Sequence, residues 1–225
     1  MQKYGLALHT SSPELGLALS NFDLDRRFST WNLGRDLSTH LHQYLAEFIQ
    51  PQTWTDLAFI AVAIGPGSFT GTRIGVVTAR TLAEQLDIPL FGISSLAAVA
   101  WDSDGNISRK DAKAQSYALR ACYANVTLAL QMPAQRGQLF TAIYQPTPNN
   151  SGLTQLLPDT VMTPEAWQQT LETWTTGYQV IDIPAGVGLG ASVSRLLELA
   201  YLDWQQGKQT HWSEVLPFYG QHPVE

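Results

Sequence analysis

Cysteine is almost missing from this 225-residue chain, in which Cys122 stands alone. A single thiol excludes an intrachain disulfide and any multi-cysteine metal site, and it suits a reducing compartment. Charge is scarce as well. Only 14% of residues are charged, and acidic ones outnumber basic ones 19 to 13, for a formal net charge of −6. Neutralising a nucleic-acid backbone takes clustered Lys and Arg, so this balance argues against a free-standing nucleic-acid binder. Any RNA role would draw its positive surface from elsewhere. Apolar runs are short, with none near the roughly 20 residues that span a bilayer. The opening "MQKYGLALHTSSPE" lacks the basic-then-apolar layout of a signal peptide. A cytoplasmic protein with no membrane contact is expected. The five histidines, His9, His40, His42, His211 and His222, form neither His-Glu-x-x-His nor His-x-x-x-His, the spacings that put two imidazoles on one helix face. His40 and His42 would diverge on a helix. No metal site is expected, and a metalloprotease would lack its ligands.

What is present is enough apolar material for a sizeable core: 44% hydrophobic residues and seven Trp. In "YGLALHTSSPELGLALS" the alternation of Tyr4, Leu6, Leu8 and then Leu15, Leu17, Leu19 marks two strands around a Ser11-Ser12-Pro13 turn. A third strand near Arg27–Trp31 would complete a meander. "GRDLSTHLHQYLAEFI" carries the three- and four-residue spacing of a helix, and "LAFIAVAI" is apolar throughout, as a strand covered on both faces requires. A glycine loop and helix follow, then strand "IPLFGI" and helix "SSLAAVA". Meander, helix, strand, helix, strand is the element order of a ribonuclease H-like lobe in the actin and sugar-kinase superfamily.

"WDSDGNISRKDAKAQS" breaks the apolar periodicity and reads as a linker. Beyond it, strand-like "YALRACYANVTLALQM" and "GQLFTAIYQ" precede a turn cluster, and "TPEAWQQTLETW" is a helix with Thr163 as its cap and Pro164 at its first position. On it Trp167 and Trp174 lie seven apart, a core spacing. "ASVSRLLELAYLDWQQG" is a final helix ending at Gly207. The expected α/β fold therefore has two lobes of mixed sheets with flanking helices. Residues 1–101 form the first lobe, 102–189 a smaller second lobe that echoes it with less helix, and 190–225 a last helix and tail returning to the first.

The most informative stretch is "GPGSFTGTRIG", Gly65–Gly75. Strand, glycine loop and helix together make a recipe for anion binding, because free N–H groups at the helix start point at the ligand. Yet a Walker loop would end Gly-Lys-Ser/Thr where this one has Gly71-Thr72-Arg73, and the dinucleotide pattern needs a glycine at Thr70. A nucleophile elbow would need glycines at Pro66 and Thr70. The alternative is a tight turn capped by Thr70. Behind it, Gly71, Gly75, Ala79 and Ala83 recur every four residues as a ridge of small side chains, flanked by Ile74, Val77, Thr78, Thr81 and Leu82. Such a ridge admits a close neighbour: a helix of the same lobe, or another subunit. A second cluster, "AGVGLGAS" (Ala185–Ser192), reads as a flexible return turn, or as the adenosine loop of a kinase.

"GPGSFTGTRIG", with "LALHTSSPELGLAL", "FGISSLAAVA", "AQRGQLF" and "VLPFYG", resembles the TsaB family, also called YeaZ, from end to end. The resemblance implies the two-lobed actin-like, ribonuclease H-like fold. It also implies a non-catalytic subunit in the synthesis of N6-threonylcarbamoyladenosine at position 37 of tRNA. Such a subunit pairs with and activates the transferase TsaD, recruits the ATPase TsaE, and meets tRNA only through the complex. Self-pairing is expected in TsaD's absence. No intrinsic cofactor is implied; ATP or ADP would sit at the junction with TsaD. On this reading Gly71, Arg73, Gly75, Ala79, Arg80, Ala83 and, on the first helix, Leu41 form the partner interface. Thr10, Ser11, Gly65, Pro66, Gly67, Ser68, Phe69 and Thr70 lie near the nucleotide, and no residue is catalytic.

Three departures stand out. His9 occupies the place of a usual Asp, and a neutral imidazole is a poor substitute for a hard oxygen ligand of magnesium. Gln135 and Gln221 stand where Arg is common. The rival readings are a small ATP-dependent kinase or ATPase of the same superfamily, and a self-associating scaffold with no tRNA role.

Overall fold

A computed structural model of the chain describes residues 3–103, 126–147, 151–184 and 188–220. Cys122, Gln221, His222, most of the expected linker and the start of the second glycine cluster lie outside them. Two compact units emerge, Met1–Ala98 with Gly186–Phe218, and Val99–Ala185 with Tyr219–Glu225.

The first unit holds a five-stranded sheet in the order β3-β2-β1-β4-β5, with β1 Tyr4–His9, β2 Glu14–Ser20, β3 Arg26–Asn32, β4 Leu57–Ala63 and β5 Leu90–Ile93. The first three strands pair antiparallel, and β4 and β5 run parallel to β1. This is the ribonuclease H-like order that the element sequence suggested. β4 is buried at every position, as a strand between two helical layers must be. On one face Leu6, Leu8, Leu15 and Leu17 meet helix α1 (Leu37–Phe48) and helix α2 (Phe69–Leu86) in the main core. On the other, Phe59 meets Trp204 of the last helix, Val193–Gln205.

The second unit carries β6 Thr127–Pro133, β7 Leu139–Pro146, β8 Leu153–Met162 and β9 Tyr178–Asp182 in the order β8-β7-β6-β9. β6, β7 and β8 pair antiparallel and β9 runs parallel to β6. The sheet thus repeats the first unit's order without its fifth strand. Helix Pro164–Glu172 covers one face, where Trp167 and Leu171 bury against Ala129 and Ile143 and Trp174 packs beside them. Thr163 caps this helix as its sequence requires, accepting a hydrogen bond from the Ala166 amide at 3.2 Å.

Strands β8 and β9 are absent from the sequence reading. β8 contains Pro158, which argues against a central strand, but β8 is an edge strand, and its pairing slips register beside the proline, where edge prolines are tolerated. Both are weakly buried, so neither shows the alternation that betrays a half-buried strand. Among the described residues, no helix is long and apolar enough to cross a membrane.

Candidate functional site

The C-terminal ends of β1 and β4 lie side by side, so the turn after β1 meets the loop after β4. Thr10 Oγ1 donates to Gly71 O at 2.8 Å, Thr72 Oγ1 donates to Ser11 Oγ at 3.0 Å, and the Ser68 amide donates to Ser11 O at 2.7 Å. Three glycines permit this contact, Gly71 among them, with a Cβ that would lie 2.1 Å from Thr10 O. A Cβ at Gly67 would lie 2.1 Å from Ser11 O, and one at Gly75 would lie 2.1 Å from Thr10 Oγ1. Gly67 also has a φ of +154°, a conformation other residues rarely adopt.

The eight residues expected near a nucleotide are therefore brought to one place. Thr10, Ser11, Gly65 and Pro66 are buried, Gly67 is half-buried, and Ser68, Phe69 and Thr70 reach the surface. The helix cap, however, is Ser68 and not Thr70: Ser68 Oγ accepts from the Gly71 amide at 3.2 Å. Two amides that a phosphate loop would turn toward its ligand, those of Ser68 and Gly71, are thus committed within the chain.

His9, at the end of β1, is fully buried. Burial pulls its pKa from 6.5 down to about 4, against an opposing pull from the Glu14 carboxylate. The ring is neutral near pH 7, its Nδ1 accepts from the Ser11 amide at 3.4 Å, and its Nε2 has no partner among the described residues. A neutral, desolvated ring offers magnesium no charge.

The ridge on α2 corrects one expectation. Gly71, Gly75, Ala79 and Ala83 face inward, and both alanines are fully buried in the core formed with β1 and β4. The close neighbour that small residues admit is the sheet and the Thr10 turn, neither a helix of the lobe nor a surface open to a partner. Leu41 is likewise at 0% exposure inside this core, packed there by the apolar face of α1. These five residues cannot form an interface from where they sit. Arg73 is exposed and stacks on Phe69, its guanidinium 5.3 Å from the ring centre. Arg80 is half-buried beneath Trp212, 5.6 Å from that ring.

Of the residues flanking the ridge, Val77 and Thr81 are exposed, Ile74 and Leu82 are half-buried, and Thr78 is buried. Between α1 and α2 runs an apolar groove of about 510 Å³, lined by Ser38, His42, Trp54, Ile74, Val77 and Thr81, with Arg73 at its rim. Val77, 60% exposed, stands in it as an aliphatic side chain left in water. The spacing of Ser38 and His42 on α1 could have pointed to the groove; Trp54 carries no such signal.

A C-terminal strap, the tail expected to return to the first lobe, runs along β5 to the end of β4. The Leu90 amide donates to Thr210 O at 3.2 Å, Val215 is buried against Gly92, and the Phe218 amide donates to Ile64 O at 2.7 Å, just before the glycine loop. The "VLPFYG" stretch thus holds the loop's entry in place.

The profile of the TsaD family, described as tRNA N6-adenosine threonylcarbamoyltransferase, matches residues 35–111, which run from the start of α1 past the glycine loop and α2. The tRNA threonylcarbamoyladenosine biosynthesis protein TsaB of Bacillus subtilis is 34% identical over 175 residues, which cover 74% of this chain and 65% of that protein. Over that span the chain is similar to the TsaB family. The TsaB of Escherichia coli is 43% identical over 54 residues, 23% of each chain. The chain thus spans less than two thirds of these relatives' length. The fold is also that of two solved structures from Pseudomonas aeruginosa. One, described as an uncharacterized protein with similarity to peptidase YEAZ, has a TM-score of 0.73 at 19% identity and covers 97% of this chain and all of its own. The other, YeaZ, has a TM-score of 0.71 at 20% identity, covering 96% and 100%. No cluster of three His, Cys, Asp or Glu side chains suited to a metal occurs among the described residues.

Proposed function

We propose that this chain is a non-catalytic subunit in the synthesis of N6-threonylcarbamoyladenosine on tRNA, and that it pairs with the transferase TsaD through the groove between α1 and α2. The observation that carries the pairing is that groove: an apolar channel with Val77 60% exposed, on two helices whose inner faces are already used by the core. Exposed apolar surface of this kind marks an interaction site. Similarity to the TsaB family supplies the pathway, and the TsaD profile falls on these same two helices.

The site supports a non-catalytic role. The loop spends its Ser68 and Gly71 amides on the chain itself, and His9 puts a neutral imidazole where kinase chemistry would want a carboxylate. ATP or ADP would then be held jointly with TsaD, its contact on this side being the exposed Ser68–Thr70 edge. TsaE would join at that junction, and the free chain would pair with itself through the same groove. Reconstitution tests the reading. Modification of tRNA by TsaD, TsaE and a threonylcarbamoyl donor is expected to require this chain. Equal modification in its absence, or magnesium-dependent ATP turnover by the chain alone, would overturn it.

A further inference from the structure

The second glycine cluster is not a loose return turn where it is described. Gly188, with φ +85°, opens a short 3-10 turn, Leu189–Ser192, that leads straight into the helix Val193–Gln205. The turn docks on the first hairpin so closely that a Cβ at Gly16 would lie 2.3 Å from Gly190 O, and one at Gly190 would lie 2.8 Å from Glu14 Cβ. Into its mouth comes a carboxylate. The Gly188 amide donates to Glu14 at 2.9 Å and 3.1 Å, one distance to each oxygen, and the Ser12 hydroxyl donates to the same group.

A glycine turn with a free amide ahead of a helix is a place where anions bind, because the amide dipoles point at the ligand and the helix field adds to them. Here that place already holds an anion belonging to the chain. We propose that Glu14 is the internal anion of the Gly188–Ser192 turn, latching the last helix to the β1–β2 hairpin and closing the turn to phosphate-bearing ligands. The charge state agrees with this placement. Burial pushes the Glu14 carboxyl up, but hydrogen bonds from Ser12 and from the Gly188 and Gly190 amides outweigh it and hold the group below its usual range. The carboxylate therefore stays ionised and seated at neutral pH. A turn that in sequence could pass for an adenosine loop is shut from within, which leaves the exposed edge of the first loop as the chain's nucleotide contact. The inference concerns this chain's own residues and stands apart from the tRNA role.

The test is an NMR titration of the full chain with inorganic pyrophosphate, following the Gly188 and Gly190 amide resonances. In the wild type these resonances show no saturable shift at millimolar pyrophosphate. In Glu14→Ala they saturate, with a dissociation constant at least tenfold below any wild-type limit. Should the alanine variant not fold, Glu14→Gln keeps an acceptor oxygen while removing the charge, and the same tenfold gain is expected of it. Wild-type resonances that saturate at the same concentration as the variant's would overturn the proposal. So would a folded variant that binds no pyrophosphate at these amides.

Discussion

A methyl group on Gly75 would lie 2.1 Å from Thr10 Oγ1, and one on Gly71 would lie 2.1 Å from Thr10 O. Gly75→Ala therefore forces either the helix or the Thr10 turn to move, at a cost of about 1–3 kcal/mol for overpacking a fitted contact. Denaturant unfolding checks this, and an unchanged midpoint would show that the contact is slack. Next to Thr10 in sequence, His9 makes stability depend on pH. Its folded pKa of about 4 lies below the unfolded value of 6.5. Between those values the unfolded chain binds a proton that the folded chain refuses, so stability is full above pH 6.5 and falls as pH drops toward 4. The loss is at most roughly 3 kcal/mol, and in His9→Asn the same window should be flatter. Nothing in the sequence warns that Nε2 lacks a partner among the described residues, because burial depends on which elements come to cover the end of β1.

At the scale of elements, α2 shows what periodicity can and cannot say. The four-residue recurrence of Gly71, Gly75, Ala79 and Ala83 announces a close neighbour, but it is silent on whether that neighbour is a sheet, a helix or another molecule. A surface for docking shows itself by large apolar groups left in water, and Val77 has the same letter in the sequence whether buried or exposed. The sequence points to a cap two residues too late, at Thr70, for a related reason: Ser68 and Thr70 are both good caps, and the choice rests on where the loop backbone is pinned by Ser11. Ser68→Ala should cost about 1 kcal/mol of stability, the usual worth of an N-cap, whereas Thr70→Ala should cost a few tenths at most, as expected of a surface change. Thermal unfolding of the two variants separates the assignments, and equal losses would contradict the cap. The long apolar strand β4 and the helices α1 and α2 were legible because their patterns are strong. β8 and β9 were not, because edge strands need no alternation.

Across the molecule, the order of elements carried the fold. Three strands in a meander followed by strands joined through helices leave few alternatives once parallel crossovers are required to be right-handed, and the first sheet has the order that reading implies. The second sheet repeats it in four strands, from a sequence whose hydrophobic pattern alone showed only two of them. The partner face was less legible, since it is defined by what the core leaves over. On the proposed function α1 and α2 have two separate duties, an inner face that builds the core and an outer groove that would receive TsaD. Val77→Asp tests this most directly, because it places a charge in the groove and touches nothing in the core. Titrated with TsaD by calorimetry, the variant should keep the wild-type melting temperature and bind at least tenfold more weakly. A Val77→Asp chain that folds normally and binds TsaD as tightly as the wild type would contradict the account.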